Sequence, residues 1–443
     1  MLEPYQRVGI DWLKDHRRAI NADQMGLGKT IESIVAVKEL GYSRILVICP
    51  KSLIYQWKQH IAEWDDRSLA SWTVVNYEKV KHLDGDWQAV IVDESVRIKN
   101  PTTERTIAVM QRVIRAQCVY FLTGTPVRNH PKDLFVMAAG CIPELLRFEK
   151  LSLEANLRRS YWRWIDETFV VKENPWGGKD IRGFLPGREA QIQTKLNRIM
   201  LRRTKELLNL PPLTREVLAL EMIPTQAKEY ATIERGLVAL ANPDGSIEPH
   251  VLTNALAQLT RLRQCAVDPG LIPVSGHSAK SIYLQEWWES HREDSPKVIV
   301  FSQFAQYVRK LQDLLPDALA YHGGLSDKQR EGVINEFNSD RPHVLCMSAE
   351  SGAFGLNLQV ADVVIWTDLP LTPDTLEQGT ARAHRRGQQH AVHEIILSHP
   401  NSVDDTLRKI LRRKDAWADR VGIAREVIQE IAKEVKNEQT VIA

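Results

Sequence analysis

The sequence predicts two α/β lobes, each a parallel sheet flanked by helices, with helical protrusions between them. Three observations lead there. Short apolar, β-branched runs alternate with amphipathic helical segments in two separate stretches, the pattern of parallel sheets joined by right-handed helical crossovers. From about residue 131 to 290, strand runs thin out and helical patterning punctuated by Pro and Gly takes over. With 443 residues, the chain has length for two or three domains.

The first stretch holds Arg44–Cys49, Trp72–Asn76, Ala89–Asp93 and Val119–Leu122. Each is apolar without strict alternation, as expected of strands covered on both faces. The second holds Val298–Phe301, Ala318–Tyr321, Val344–Cys346, Val363–Trp366 and Glu394–Leu397. Ser326 with Gln329 forms a capping box for a helix running to about Phe337. Thr372 followed by Pro373 is an N-cap with Pro at the first helical position. Phe304, Val308, Leu311 and Leu315 recur at helical spacing and are expected to face a sheet. Trp287-Trp288 is expected to pack at a lobe surface. Pro211-Pro212 marks the crossing, giving a lobe over 1–210 with a helical insertion from about 131. The second lobe spans 211–443, with a protrusion at about 224–290.

A hydrophobic fraction of 43% and a charged fraction of 26% suit a soluble globular protein. No apolar run is long enough to span a bilayer, so no membrane partner is expected. Pro4, Arg7 and Asp11 interrupt any signal-peptide core. The five cysteines include no Cys-x-x-Cys pair, which argues against zinc. Buried, reduced thiols are expected, and with them a cytoplasmic location, or a nuclear one in a eukaryote. The net charge of +2 neither demands nor excludes nucleic acid. Charge is clustered, however, at Arg202-Arg203-Thr204-Lys205, Arg382–Arg386 and Arg408–Lys414, each of which alone reads as a solvated helix face.

Chemistry enters with Asp23-Gln-Met-Gly-Leu-Gly-Lys-Thr30. A strict phosphate-loop pattern requires Gly where Asp23 stands, but the working core is present. Gly26 and Gly28 let backbone N–H groups approach phosphates, Lys29 reaches the β- and γ-phosphates, and Thr30 offers a hydroxyl to Mg²⁺. Val90-Ile-Val-Asp-Glu94 is an apolar strand delivering two acids: Asp93 to hold Mg²⁺ and Glu94 to orient or deprotonate the attacking water. Leu122-Thr-Gly-Thr-Pro126 is an ordinary turn when taken alone. Gln378–Gln388 contains Arg382 and Arg385, spaced to share one helix face as fingers reaching a phosphate, or as part of a solvated basic helix. Tyr161-Trp162-Arg163-Trp164, preceded by Arg158-Arg159, could grip nucleic acid or be a Trp-rich core with a basic edge.

In order, these motifs resemble those of the Swi/Snf-type DNA-dependent ATPases of helicase superfamily 2, from Tyr5-Gln6 to about residue 415. Val298–Phe304, Tyr321–Gly324 and Ser348–Leu358 are similar to later family motifs, and Arg202–Lys205 with Leu210-Pro-Pro212 to the brace linking the lobes. The resemblance implies two RecA-like lobes, ATP and Mg²⁺ as cofactors, and DNA, double-stranded or forked, as partner. It implies nucleotide contacts from Gln6 and Gln378, and γ-phosphate sensing by Arg382 and Arg385. Thr123, Gly124 and Thr125 would couple hydrolysis to movement, and Ser348, Ser351 and Gly352 would face DNA. The implied activity is ATP-driven translocation on duplex DNA, remodelling forks, recombination intermediates or protein–DNA complexes. A strand-separating DNA or RNA helicase, an inactive nucleic-acid-binding scaffold and a motor subunit for a separate enzyme are the alternatives. A compact prokaryotic or viral form is expected, with the oligomeric state left open and a monomer among the options. Four departures stand out. Gln24 replaces Glu, Val96 replaces a His that helps link nucleotide to the third motif, Glu350 replaces a basic residue, and Ala353 replaces Gly.

Overall fold

The computed structural model describes residues 2–124, 131–146, 149–173, 179–242, 250–272, 278–294, 297–339, 341, 343–352, 356–413 and 420–442. The chain divides into two compact units, Met1–Asn209 and Leu210–Ala443.

The first unit contains helix α1 (Pro4–Asp15), strand β1 (Arg18–Asn21), α2 (Lys29–Glu39), β2 (Arg44–Cys49), α3 (Ile54–Trp64), β3 (Ser71–Asn76) and β4 (Ala89–Asp93). It continues through α4 (Glu104–Arg115), β5 (Cys118–Leu122), α5 (Phe135–Cys141), α6 (Leu153–Thr168), β6 (Phe169–Glu173), β7 (Lys179–Phe184), α7 (Arg188–Asn197) and β8 (Met200–Leu201). Its main sheet has the order β3-β2-β4-β5-β1-β8, parallel throughout. Side chains alternate between the two faces of a strand, and both faces are covered. Val90 and Val92 join a core with α4, α5 and α6 through Val109, Phe135 and Leu157. Ala89 and Ile91 join the opposite core with α1, α2 and α3 through Ile10, Ile34 and Trp57. That double burial is why these strands read as continuous apolar runs.

The second unit holds β9 (Leu213–Ala219), α8 (Pro224–Val238), α9 (Leu252–Val267), α10 (Ala279–His291), β10 (Lys297–Ser302), α11 (Ala305–Leu314), β11 (Ala318–Tyr321), α12 (Asp327–Phe337) and β12 (His343–Ser348). After these come α13 (Ala349–Gly352), β13 (Val363–Trp366), α14 (Pro373–Thr380), β14 (Val392–Ser398), α15 (Val403–Arg413) and α16 (Arg420–Ile442). Its sheet order is β11-β12-β10-β13-β14-β9, again all parallel. Both units therefore have the predicted RecA-like architecture of a parallel sheet between helices.

The predicted capping box holds α12: Ser326 Oγ accepts from Gln329 N, and Gln329 Oε1 accepts from Ser326 N at 2.9 Å. Of the four residues expected to face the sheet, Val308, Leu311 and Leu315 are buried in its core, and Phe304 packs against that core partly buried. Two expectations fail. Trp288 lies in the core, 1% exposed, because α10 packs it against Tyr307 and Val300, and only Trp287 stays at the rim. Helix α14 ends at Thr380, so Arg382 and Arg385 do not share a helix face. Beyond Thr380 the chain breaks into successive turns, with Ala383 N donating to Thr380 O and Gln388 N to Arg385 O. The Gln388 side chain fixes those turns by donating to Ala361 O at 2.7 Å.

All five cysteines are buried and unpaired. Among the described residues, no helix is long and apolar enough to cross a membrane.

Candidate active site

Three neighbouring strand ends carry the chemistry of the first lobe. Asn21 pairs with Leu122, and Leu122 with Asp93. One row across β1, β5 and β4 thus delivers the phosphate loop, the Thr123–Gly124 turn and the acidic pair to one edge. Neighbouring strands lie about 4.8 Å apart, so the loop and Asp93 leave the sheet about 10 Å from each other. Ligands of open α/β sheets bind at this C-terminal edge.

Gly26 and Gly28 adopt φ of +93° and +90°, which glycine reaches without a Cβ penalty. A Cβ on Gly28 would also lie 2.2 Å from Gln6 Nε2. Gln6 is buried in α1, donating from Nε2 to Leu27 O at 3.3 Å and accepting at Oε1 from Glu3 N at 3.0 Å. It thereby braces the loop from behind. Helix α2 starts at Lys29, with Thr30 in its first turn, so unpaired N–H groups and the positive dipole end face the loop. Lys29 Nζ donates to the carbonyls of Asp23 at 2.6 Å and Gln24 at 3.3 Å. Burial draws its pKa down, with Glu94, Asp23, Asp93 and Glu32 opposing.

Asp93 closes β4 and is 8% exposed. Burial first, then the neighbouring Glu94, pushes its carboxyl up to about 6. Trp57 Nε1 donates to its Oδ2 at 2.8 Å and Glu94 N to its Oδ1 at 2.9 Å. Tyr77 O–H donates to the Asp93 carbonyl at 2.5 Å. Glu94 sits at φ +50°, a left-handed conformation that non-glycine residues hold only under constraint, typically at functional sites.

The third motif touches the first. Thr123 is buried, and its N–H donates to Asn21 O at 3.1 Å. A Cβ on Gly124 would lie 2.8 Å from Met25 Cγ in the phosphate loop. Val96 is buried and apolar, and its neighbour Ser95 supplies a polar link, donating from Oγ to Leu122 O at 3.2 Å. Thr125 and Pro126 lie outside the described residues.

Asp23, the residue that breaks the strict loop pattern, has a partner 180 positions away. Arg203 Nε donates to Asp23 Oδ2 at 2.9 Å, and its NH2 donates to both oxygens of Glu32 at 2.7 Å. Asp23 and Glu32 are fully buried. Burial pushes Glu32 up to about 7, with Arg203 opposing. A backbone bond and a side-chain bond extend this clasp: Gln24 N donates to Arg203 O at 3.0 Å, and Lys205 N to the side-chain Oε1 of Gln24 at 2.7 Å. Arg202–Lys205 is therefore not a solvated helix face: it follows the short strand β8, and its Arg203 is committed to two buried acids.

In the second lobe, Ser348 ends β12 and is buried. Ser351 and Gly352 fall in α13, where Glu350 is exposed, and Ala353 lies outside the described residues. Gln378 is buried in α14, its Oε1 without a donor. Arg382 is 6% exposed, which rules out a solvated basic helix there. Arg385 is half-buried, donates to Leu356 O at 3.2 Å, and has its pKa drawn down by burial alone. On α6, Tyr161 and Trp164 pack on Phe135 with ring centroids 5.5 and 5.6 Å apart, while Arg158, Arg159 and Trp162 stay exposed. The aromatic run is mostly core with a basic edge.

A phosphate loop, an acidic pair and a third motif on adjoining strands of a RecA-like lobe, followed by a second such lobe, define an ATP hydrolase core. The SNF2-related domain family matches residues 5–73 and 68–271, and the helicase conserved C-terminal domain matches residues 279–387. The chain belongs to the SNF2-related family. It is 26% identical over 475 residues to the ISWI chromatin-remodeling complex ATPase ISW1 of Saccharomyces cerevisiae, covering 93% of this chain and 39% of that one. It is 26% identical over 486 residues to YwqA of Bacillus subtilis, by its name a candidate ATP-dependent helicase/translocase, covering 97% of this chain and 50% of that one. The solved Sulfolobus solfataricus SWI2/SNF2 ATPase core in complex with dsDNA is 23% identical with a TM-score of 0.42, covering 98% of this chain and 96% of that one. The chain thus spans half or less of the length of these two sequence relatives.

Proposed function

We propose that this chain is a DNA motor that uses ATP to translocate along double-stranded DNA, remodelling forks, recombination intermediates or protein–DNA complexes. The observation that carries this reading is the packing of Gly124 against Met25. A phosphate loop that rearranges around a nucleotide must displace the third motif, which is what a motor needs and a passive binding module does not. Relatives named for chromatin remodelling and for helicase or translocase activity support DNA as the track. Thr30 and Asp93 offer a hydroxyl and a carboxylate, an all-oxygen set suited to Mg²⁺, which commonly completes its shell with water and phosphate oxygens. Bound Mg²⁺ would offset phosphate charge, while Lys29 binds the triphosphate and Glu94 orients the attacking water.

The test is ATP hydrolysis with no nucleic acid, single-stranded DNA, duplex DNA, forked DNA and RNA, paired with displacement of a third strand from a DNA triplex. Duplex or forked DNA should stimulate hydrolysis and the third strand should be released. Lys29→Ala and Glu94→Gln should each lower turnover by about 10²–10⁴-fold. Unwinding of a forked duplex would instead identify a helicase, stimulation by RNA alone an RNA helicase, and rates flat across all substrates a scaffold.

A further inference from the structure

The acidic strand end has a partner that the phosphate-loop chemistry does not call for. Trp57 sits on α3, 36 residues upstream of Asp93. It is 1% exposed and locked in the core that α1, α2 and α3 form on the sheet. The only polar atom of its side chain, the indole Nε1, donates to Asp93 Oδ2 at 2.8 Å. An indole N–H is a donor only, at every pH, and it cannot itself ligate a cation. The other carboxylate oxygen takes the Glu94 N–H at 2.9 Å, and Tyr77 pins the carbonyl of the same residue. Each carboxylate oxygen thus holds one fixed donor and keeps a lone pair free, so the rotation of the group about its own axis is set from both sides.

We propose that Trp57 is a positioning residue for the metal site: its indole N–H fixes the orientation in which Asp93 presents a free lone pair to the nucleotide-bound cation. The proposal rests on Asp93 being the Mg²⁺ ligand. The backbone donor from Glu94 comes with the strand end itself, whereas the indole is supplied by another element and can be removed without altering the motif. Removing a partner of this kind typically weakens metal affinity by about 10–100-fold.

The experiment measures Mn²⁺ binding by electron paramagnetic resonance on the full chain with saturating ADP, for the parent, Trp57→Phe, Asp93→Asn and Val37→Ala. Phenylalanine keeps an aromatic ring in the core and deletes the donor. Val37→Ala, at the far end of α2, loosens the same core without touching Asp93. Thermal melts confirm that each variant is folded. Trp57→Phe should weaken Mn²⁺ by about tenfold, leave fluorescent ADP affinity in EDTA unchanged, and recover turnover at high Mg²⁺. Val37→Ala should bind Mn²⁺ as the parent does. Abolition of Mn²⁺ binding by Asp93→Asn, with Trp57→Phe within twofold of the parent, would overturn the proposal alone. Mn²⁺ affinity lost equally in Trp57→Phe and Val37→Ala would overturn it too, as a packing effect. Mn²⁺ affinity intact in Asp93→Asn would remove Asp93 as a ligand, and this proposal with it.

Discussion

Asp93 pays for its placement in stability. Its carboxyl is raised from 3.8 to about 6, chiefly by burial and then by Glu94. The folded protein therefore binds a proton there that the unfolded chain has already released between those two values. Stability from this group is greatest below the unfolded pKa and is lost as pH rises through the folded one. A shift of this size corresponds to roughly 2–3 kcal/mol. We predict that, without Mg²⁺ or nucleotide, lowering the pH from 8 to 4 moves the stability difference between the parent and Asp93→Asn by about that amount in favour of the parent. Urea melts of both proteins at the two pH values check this, and a difference independent of pH would show that the carboxyl is not raised. Saturating Mg²⁺ and ADP should abolish the shift, since a bound cation holds Asp93 ionised. The residues of this candidate site were legible to different degrees. Lys29, Thr30, Asp93 and Glu94 could be singled out because phosphate and metal chemistry permits few residue types at a tight spacing. Trp57 could not, since nothing in its local sequence points at position 93, and only the folding of α3 onto the sheet brings them together.

Elements that are apolar throughout were readable, and those stabilised by distant partners were not. All nine predicted strands exist, because double burial writes itself as an unbroken apolar run in the inner ones, and the edge strands β3 and β11 keep β-branched or apolar residues at most positions. Strand β1 escaped notice although it is paired on both sides: it has four residues, one of them Arg18, whose guanidinium bonds the carbonyls of Gly140, Ala116 and Val113. Strand β9 escaped because it is an edge strand with charges, its Arg215 paired to the buried Glu394 at 2.5 Å. Strand β8 is only two residues long, and Arg203 just beyond it is tied to Asp23 and Glu32. That arginine gives a prediction at this scale. Arg203→Ala leaves Asp23 and Glu32 buried without their cation, and breaking such a pair from one side costs about 3–5 kcal/mol. Amide exchange should quicken most at Ala22 and Gln24, which donate to Leu201 O and Arg203 O. Adding Asp23→Asn and Glu32→Gln to Arg203→Ala should recover part of the loss. Unchanged exchange at those two amides would mean that the clasp does not hold the phosphate loop.

Across the whole molecule, the proposed catalytic residues are divided between lobes with separate cores. The first lobe holds the phosphate loop and both acids, and the second holds Arg382 and Arg385. Arg385 is informative because its partial burial is offset by a hydrogen bond to Leu356 O but by no counter-ion among the described residues. No carboxylate among the described residues pairs with it, and its pKa is lowered by desolvation alone. A cation kept partly out of water without a counter-ion works against folding, so its retention calls for an anion met during function. In the proposed motor that anion is the γ-phosphate. We predict that Arg385→Ala lowers DNA-stimulated turnover by about 10³-fold or more, leaves ADP affinity within a few-fold of the parent, and does not lower thermal stability. Arg385→Lys should restore little, because an ammonium cannot reproduce the planar fork of donors. Steady-state hydrolysis, fluorescent ADP titration and a thermal melt on the same three proteins separate the two roles open to this residue. Loss of turnover with an unchanged melt assigns it to phosphate chemistry. Turnover and melting temperature falling together would assign it to the structure of the second lobe, and the γ-phosphate role would then have to rest on Arg382.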